Sequence, residues 1–369
     1  MKILEICPFS KGVCGVFTRA LAESIEFKKL GYEVAIFSSD IEKGTGKRAE
    51  KSEEIIEGIK IKRFKARNNI LKGLSDNVAY FDFEKEMFQY KPDIIITHLM
   101  HPHSAKVCKN LKKLRLQNPQ IKILIVPHAP FNVKRRFPLN LATYLWRKVS
   151  PLDLSKFDKV ISITKWEYPY LMKNGAKKEG ITYIPNGLPR EFFTQKKIKP
   201  KKDVLFLGRI APVKNLEMLL SVAKMLPKIT FSIVGPAEPR YLKKIKPALN
   251  NLKNIDLVPP INSLKDKISK IDEHKMFVLP SHREAMPQVI LEAMARGKAV
   301  ISSDTDGGKE LINHGINGFL FRRSDSNKLS ELISKNIKLN KKISKNAVKT
   351  AERFKWEDLI KKYLEIFDR

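Results

Sequence analysis

The chain reads as an α/β protein with two domains built on parallel sheets, and three observations predict it. The opening runs from an apolar strand at 3–7 through a glycine-bearing turn at 10–15 and a helix at 16–30, stopped by Gly31, into a strand at 32–38. That order is a βαβ unit, whose strands pair in parallel. The order returns late in the chain: an apolar run at 276–279, a polar loop carrying Glu284, a helix opened by Pro287 and closed by Gly297, and a strand at 298–302. Pro at the start and Gly at the end are the expected punctuation of a helix. At 369 residues the chain can also bury two separate cores.

Composition narrows the class. Hydrophobic residues make up 43%, as in an ordinary globular protein. The apolar runs fall short of a membrane-spanning helix. The start, 1–8, carries Glu5 inside its apolar run and lacks a small-residue cleavage site, so it reads as a first strand and not as a signal peptide. Cys7, Cys14 and Cys108 are odd in number and have no metal-ligand spacing, which fits free thiols in a reducing cytoplasm. The charge is unusual: 71 basic against 39 acidic residues give +32. A field of that sign attracts anionic membranes, nucleic acids or phosphorylated substrates. Exposed lysines that only solvate a surface give the same count.

The first half continues as short strands at 55–56 and 59–64, a helix at 82–90 and a strand at 94–97 that ends at His98. His98, Met100, His101 and His103 have Pro102 among them and no carboxylate nearby in the chain, so they read as a polar edge of a cleft and not as a metal site. Ligands bind at the carboxyl ends of parallel strands. A basic helix at 104–116 and a strand at 121–126 lead to Pro127 and His128, and a histidine just past a buried strand points into such a cleft. Strands at 160–163 and 181–184 follow, separated by a helix at 164–172 that Pro169 perturbs. The turn Pro185-Asn186-Gly187 precedes a polar, basic linker at 193–202.

The second half repeats the strand-to-turn pattern at 204–207, 231–234 and 255–258. Arg209 and Lys214 lie close after the first of these strands, where two cations can clamp a diphosphate or simply decorate a surface. The helix after Pro287 has unpaired N–H groups near Gln288 and Val289 that favour an anion. Glu292, further along that helix, can accept from a ribose hydroxyl. Glu284 in front can grip a sugar. Phosphate, ribose and sugar together suggest a nucleotide sugar, although an ordinary βα unit with two solvated glutamates has the same spacing. Asp304-Thr305-Asp306 reads as a helix start with an Asp cap. Amphipathic helices at 329–338 and 343–354 and a last helix at 356–367 close the chain.

Glu284, seven residues, then Glu292 within Leu-Glu-Ala-Met-Ala resembles the E-x7-E signature of the retaining glycosyltransferases of family 4, also called group 1. Further motifs match in order: Gly15 in the first loop, where Cys14 stands for the first of two adjacent glycines; His128; the triplet 185–187; Gly208-Arg209, four residues, Lys214-Asn215; and the stretch 310–318. The resemblance implies the GT-B fold, two Rossmann-like domains facing a central cleft, with the C-terminal helix crossing back to the first. The domains would be 1–192 with 356–369, taking the acceptor, and 203–355, holding the donor. It implies transfer of a hexose-type sugar from a UDP- or GDP-linked donor to a glycan or lipid-linked acceptor. It implies retention and no metal or cofactor. His128 and Glu284 would then be catalytic. Gly15, Arg209, Lys214, Met286, Pro287, Gln288, Val289 and Glu292 would bind the donor.

The stretch 131–148 is the most individual part of the chain. It mixes Lys134, Arg135 and Arg136 with aromatics that include Tyr144 and Trp146, and no Asp or Glu occurs between Asp93 and Asp153. Such a segment can lie in a membrane interface with its cations on anionic lipid, or face a core with a solvated basic side. The first reading puts the protein peripherally at the cytoplasmic face of the cell membrane. The rivals are a basic protein that binds nucleic acid or membrane without transferring anything, or an epimerase or phosphorylase of the same fold. No nucleic-acid-binding motif supports the first rival. If 131–148 docks on lipid, replacing Lys134, Arg135 and Arg136 with residues of mixed charge weakens flotation with anionic vesicles. Unchanged flotation would contradict this.

Overall fold

The computed structural model describes residues 1–12, 14–43, 47–67, 79–129, 152–194, 196, 198–261, 263–338 and 341–368. The chain divides into two compact units, Met1–Pro185 with Leu359–Arg369, and Asn186–Asp358. Each is a parallel sheet flanked by helices.

The strands of the first unit are β1 (Lys2–Gly12), β2 (Glu33–Lys43), β3 (Glu53–Ile56), β4 (Ile59–Phe64), β5 (Ile94–His98), β6 (Lys122–Val126), β7 (Lys159–Ser162) and β8 (Ile181–Tyr183). Their order is β3-β4-β2-β1-β5-β6-β7-β8. Only the β3–β4 hairpin is antiparallel among the described pairs. β1 is central and the chain leaves it to both sides. The topological switch therefore lies between β1 and β5, and a crevice opens at the carboxyl ends of strands at such a point. β1 and β5 are buried runs of Ile, Leu and Cys, as strands covered on both faces must be.

Several expectations change here. The turn predicted at 10–15 starts later, because β1 runs on to Gly12 with register shifts against β2 after Ile6. Ser39 Oγ donates to the Pro8 carbonyl at 2.5 Å, and Ser10 Oγ joins Ser38 at 2.6 Å and Arg63 Nε at 2.8 Å, which ties down the extension. The basic helix is two helices, Pro102–Lys109 and Leu111–Gln117, broken at Asn110. The helix expected at 164–172 is divided just before Pro169, into a short tight turn, Lys165–Glu167, and the helix Tyr168–Lys173. Pro169 sits in the first turn of the second, where its missing N–H costs no bond.

The second unit holds β9 (Lys202–Leu207), β10 (Phe231–Val234), β11 (Ile255–Val258), β12 (His274–Leu279), β13 (Ala299–Ser303) and β14 (Phe319–Phe321), in the order β11-β10-β9-β12-β13-β14 and all parallel. Its switch point lies between β9 and β12. The stretch from Asn186 belongs to this unit: Leu188 N–H donates to the Phe354 carbonyl at 2.7 Å, and Arg296 Nη1 donates to the Phe192 carbonyl at 2.9 Å.

The predicted last helix is interrupted. Trp356–Leu359 and Lys361–Phe367 are separate helices, and the chain passes from the second unit to the first at 358–359. Tyr363 and Phe367 pack their rings on Phe27, with centroids 5.4 Å and 5.5 Å away.

β9 and β10 end in glycines that approach closely. Gly235 has φ +142°, and a Cβ there would lie 2.1 Å from the Gly208 carbonyl oxygen. Neither the conformation nor the space suits a side chain. Gly235→Ala is expected to cost about 2 kcal/mol or more in urea unfolding. A change below about 0.5 kcal/mol, the size of a neutral surface substitution, would show that the approach carries no constraint.

Candidate functional site

In the second unit the loops after β9, β12 and β13 are stitched side by side. The His282 N–H donates to the Val213 carbonyl at 2.9 Å, and the Gly307 N–H donates to the Glu284 carbonyl at 3.2 Å. The packing needs glycine, since a Cβ on Gly307 would lie 2.5 Å from the Ala285 oxygen. The adjacent helix starts at Asp306, and its cap is Thr305, not an Asp. A hydroxyl can turn back onto the Gly308 N–H, and does so at 3.1 Å.

The sequence-predicted residues 284–292 come together there. Glu284 Oε1 accepts from Lys214 Nζ and from Ser281 Oγ, both at 2.6 Å. The side chains of Lys214 and Glu284 are largely covered, so this pair is better insulated than a surface ion pair. Arg209 is held elsewhere: its Nη1 donates to Glu238 Oε1 at 2.8 Å, in a partly exposed pair. The two cations follow one strand but answer different glutamates.

The helix Gln288–Ala295 begins after Pro287 with no side-chain cap. Its first-turn N–H groups and dipole make that end attractive to an anion. Gln288 and Val289 are half-buried, and Met286 is buried in front of them. Asn186 holds this end, donating its N–H to Met286 Sδ at 3.2 Å, and Gln288 Nε2 donates to the Gly187 carbonyl at 3.3 Å. The triplet 185–187 is therefore more than a turn before a linker. Its Asn and Gly brace the loop.

Glu292 lies in the second turn and is 2% exposed. Its Oε1 accepts from Lys267 Nζ at 2.9 Å, while its Oε2 is buried with no hydrogen-bond partner among the described residues. A carboxylate oxygen in that position is an acceptor whose hydrogen bond is unmade. Lys267 was missed in the sequence, where it is one lysine among many on a basic helix. No local signal marks it.

In the first unit, His128 follows β6 in the left-handed region, φ +59°, and is half-buried. Ala129, next to it, gives its N–H to Glu167 Oε2 at 2.9 Å, and Glu167 Oε1 is fixed by the Ile163 N–H at 2.6 Å and Ser162 Oγ at 2.9 Å. His128 Nε2 lies 2.9 Å from His98 Nδ1, and His98 Nε2 lies 2.6 Å from Glu5 Oε2. The expectation of no carboxylate near His98 is overturned: β1 and the helix Gly15–Lys29 bring Glu5 and Glu23 to it from far away in the chain. His98 and His103 do not form a polar edge either. Both are buried, and His103 Nε2 bonds the His98 carbonyl at 2.6 Å.

Glu5, Glu23 and His98 have ligand-type atoms within 4.8 Å of one another, but each is already engaged. Arg19 meets Glu23 at 2.7 Å, and Tyr363 donates to Glu23 at 2.6 Å. Burial lifts the Glu5 carboxyl well above the usual range, against the pull of Arg19. Burial drives His98 down to about 4 and takes His128 well below the usual imidazole value. Both rings are therefore neutral near pH 7.

Gly15 opens the helix Gly15–Lys29, with Cys14 as a cap whose side chain makes no bond to the helix end, and a Cβ built on Gly15 meets open space among the described residues. Lys134, Arg135, Arg136, Tyr144 and Trp146 lie outside the described residues. Among the described residues no helix is long and apolar enough to cross a membrane.

Two families match adjoining stretches of the chain: Glycosyltransferase Family 4 over residues 13–192, and Glycosyl transferases group 1 over residues 189–354. An uncharacterised glycosyltransferase of Methanocaldococcus jannaschii is 26% identical over 316 residues, 79% of each chain. The N,N'-diacetylbacillosaminyl-diphospho-undecaprenol alpha-1,3-N-acetylgalactosaminyltransferase of Campylobacter jejuni is 25% identical over 338 residues, 81% of this chain and 87% of that one. Sucrose-phosphate synthase of Thermosynechococcus elongatus superposes with TM-score 0.77 at 17% identity, covering 100% of this chain and 98% of the other. The HepE protein of Anabaena, solved with UDP and glucose, gives 0.72 at 19% identity, covering 100% and 99%.

The Lys267–Glu292 pair yields a stability prediction. Lys267→Met leaves a buried carboxylate without its partner and is expected to cost about 1–3 kcal/mol. Adding Glu292→Gln should restore part of that in urea unfolding. A double variant no more stable than Lys267→Met would contradict the pairing.

Proposed function

Because the chain belongs to the group 1, family 4 glycosyltransferases of GT-B fold, we propose that it moves a hexose-type sugar from a nucleoside-diphosphate sugar to a hydroxyl of a glycan or lipid-linked acceptor. The observation that carries this reading is the loop cluster of the second unit. A covered lysine, an uncapped helix end and a buried carboxylate oxygen lacking a donor are what a diphosphate and a ribose need.

In this reading positive charge develops at the anomeric carbon, and negative charge grows on the departing diphosphate. Arg209, Lys214 and the N–H groups near Gln288 and Val289 answer that negative charge without a metal. Lys214 turns from Glu284 to the phosphates as the donor enters, and Glu284 is freed to orient the sugar. Glu292 Oε2 accepts from the ribose. Met286 and Pro287 shape the wall beside it. By the family resemblance Gly15 is a further donor-binding residue. The first unit takes the acceptor, with His128 orienting the reacting hydroxyls. Retention of configuration is the stereochemistry of the family signature. UDP leads among candidate nucleotides because the Anabaena protein holds it. A lipid-linked acceptor is favoured by the Campylobacter relative, which is named for one. Such an acceptor, with the +32 charge and the basic stretch 131–148, suits a peripheral enzyme at the inner face of the cell membrane, working in surface glycan or glycolipid assembly. The same charge would give only salt-sensitive, sequence-blind contact with nucleic acid.

Calorimetric titration with UDP, GDP and ADP, with and without magnesium at fixed salt, tests the donor site. One nucleotide should bind in both conditions, and Arg209→Ala plus Lys214→Ala should weaken it at least about tenfold, as loss of charged hydrogen bonds does. Absence of binding, or equal binding by the double variant, would contradict the placement of the diphosphate.

A further inference from the structure

We propose that Glu5 and His98 are positioning residues that act through His128, fixing its ring and setting which of its nitrogens carries the proton offered to substrate. The proposal deepens the role given above to His128 and rests on it.

The geometry is a relay of three side chains. Glu5 Oε2, His98 and His128 are joined by hydrogen bonds of 2.6 Å and 2.9 Å, and each ring of the relay uses a different nitrogen for each neighbour. Glu5 and His98 are fully buried, whereas His128 is half-buried. The relay uses up His128 Nε2 and leaves Nδ1 as the nitrogen available to a ligand. Residues from every packed element surround it. Arg19 and Glu23 come from the helix Gly15–Lys29, Cys7 from β1, Lys43 from β2, His101 and His103 from the segment after β5, and Tyr363 from the last helix.

Proton counting then fixes the relay's output. Arg19 and Glu23 cancel as an ion pair. A further buried charge would be costly, so Glu5, His98 and His128 together hold three protons and no net charge. One proton lies in the Glu5–His98 bond and one in the His98–His128 bond. The third has two places to go, Glu5 Oε1 or His128 Nδ1. Glu5 Oε1 is buried with no hydrogen-bond partner among the described residues, so a proton there would point at nothing. The third proton therefore sits on His128 Nδ1, and the ring presents a donor. When one proton leaves, the remaining two fill the two hydrogen bonds, and Nδ1 becomes a bare acceptor. Burial raises Glu5, so the loaded, donor-presenting form extends above the ordinary carboxylate range. A rise in pH removes the proton and converts donor to acceptor.

The test follows the ring nitrogens of His128 by NMR in the full chain labelled with 15N-histidine, from about pH 5 to about pH 9, a range wide enough for shifted carboxyl and imidazole groups. The His128 signals are assigned by His128→Gln. The wild type should show protonated Nδ1 at the acidic end and bare Nδ1 at the basic end, in step with the 13C signal of the Glu5 carboxyl. Glu5→Gln should abolish the step. His98→Gln should leave the Glu5 signal titrating while His128 no longer follows it. His98→Gln alone decides the matter if Glu5→Gln does not fold. A His128 step that persists unmoved in either variant, or a wild type whose His128 and Glu5 signals change independently, overturns the proposal. No substrate is needed, so failure here is separate from failure of the donor-site reading.

Discussion

A charge taken out of water must be answered inside the protein, and in both units the structure around the candidate site follows from that requirement. In the second unit Asp272 grips Arg296 through two hydrogen bonds, at 2.9 Å and 2.5 Å, and accepts Lys298 Nζ at its carbonyl at 2.9 Å. Arg296 ends the helix Gln288–Ala295 and also holds the Phe192 carbonyl. The helix that presents Glu292 is therefore anchored at its far end by a fully paired buried charge. In the first unit Arg19, Glu23 and Tyr363 close a similar circuit, which ties the last helix to the first one. Against this background Glu292 Oε2, like Glu5 Oε1, is a buried carboxylate oxygen without a hydrogen-bond partner among the described residues. The fold satisfies the other Glu292 oxygen with Lys267, and the proposed function assigns Oε2 to a ribose hydroxyl.

Topology decides where such groups collect. Each sheet grows outward on both sides of its first strand, so the loops on either side of the switch point part from one another. Glu284 and Lys214 follow β12 and β9, which are neighbours in space though 70 residues apart in sequence. Glu5, His98 and His128 belong to β1, β5 and the end of β6, also neighbours. The parallel sheet thus brings distant charged residues together at its carboxyl edge without any of them being adjacent in the chain.

Much of this was legible from the sequence. Alternation of apolar runs with Gly-punctuated helices gave parallel α/β units, and the order of motifs gave the family. Glu284, Glu292 and Lys214 were legible as candidates because they sit within one strand–loop–helix unit and one recognisable loop, and the structure places Lys214 against Glu284. Partners contributed from afar were not legible. Lys267 looks like any other lysine of a basic helix, and spacing cannot show that Glu238 pairs with Arg209 while Glu284 pairs with Lys214. Glu5 did leave a mark: a carboxylate inside the run Ile3-Leu4-Glu5-Ile6 breaks the rule for a strand buried on both faces. In the structure that mark corresponds to the buried pair of Glu5 and His98. The two-helix break at Asn110 and the long β1 depend on side-chain bonds to other elements, which periodicity does not carry.

The central claim is that the partnerless oxygen of Glu292 accepts a ribose hydroxyl of the donor nucleotide. The direct measurement compares the affinity of the bound nucleoside diphosphate with its 2'-deoxy and 3'-deoxy forms, in the wild type and in Glu292→Gln. A hydrogen bond to a charged group is worth about 1.5–3 kcal/mol. One deoxy form should therefore bind the wild type roughly 10- to 100-fold more weakly and lose little further in Glu292→Gln. Equal affinity for all three forms in the wild type, or an undiminished deoxy penalty in Glu292→Gln, would contradict the account.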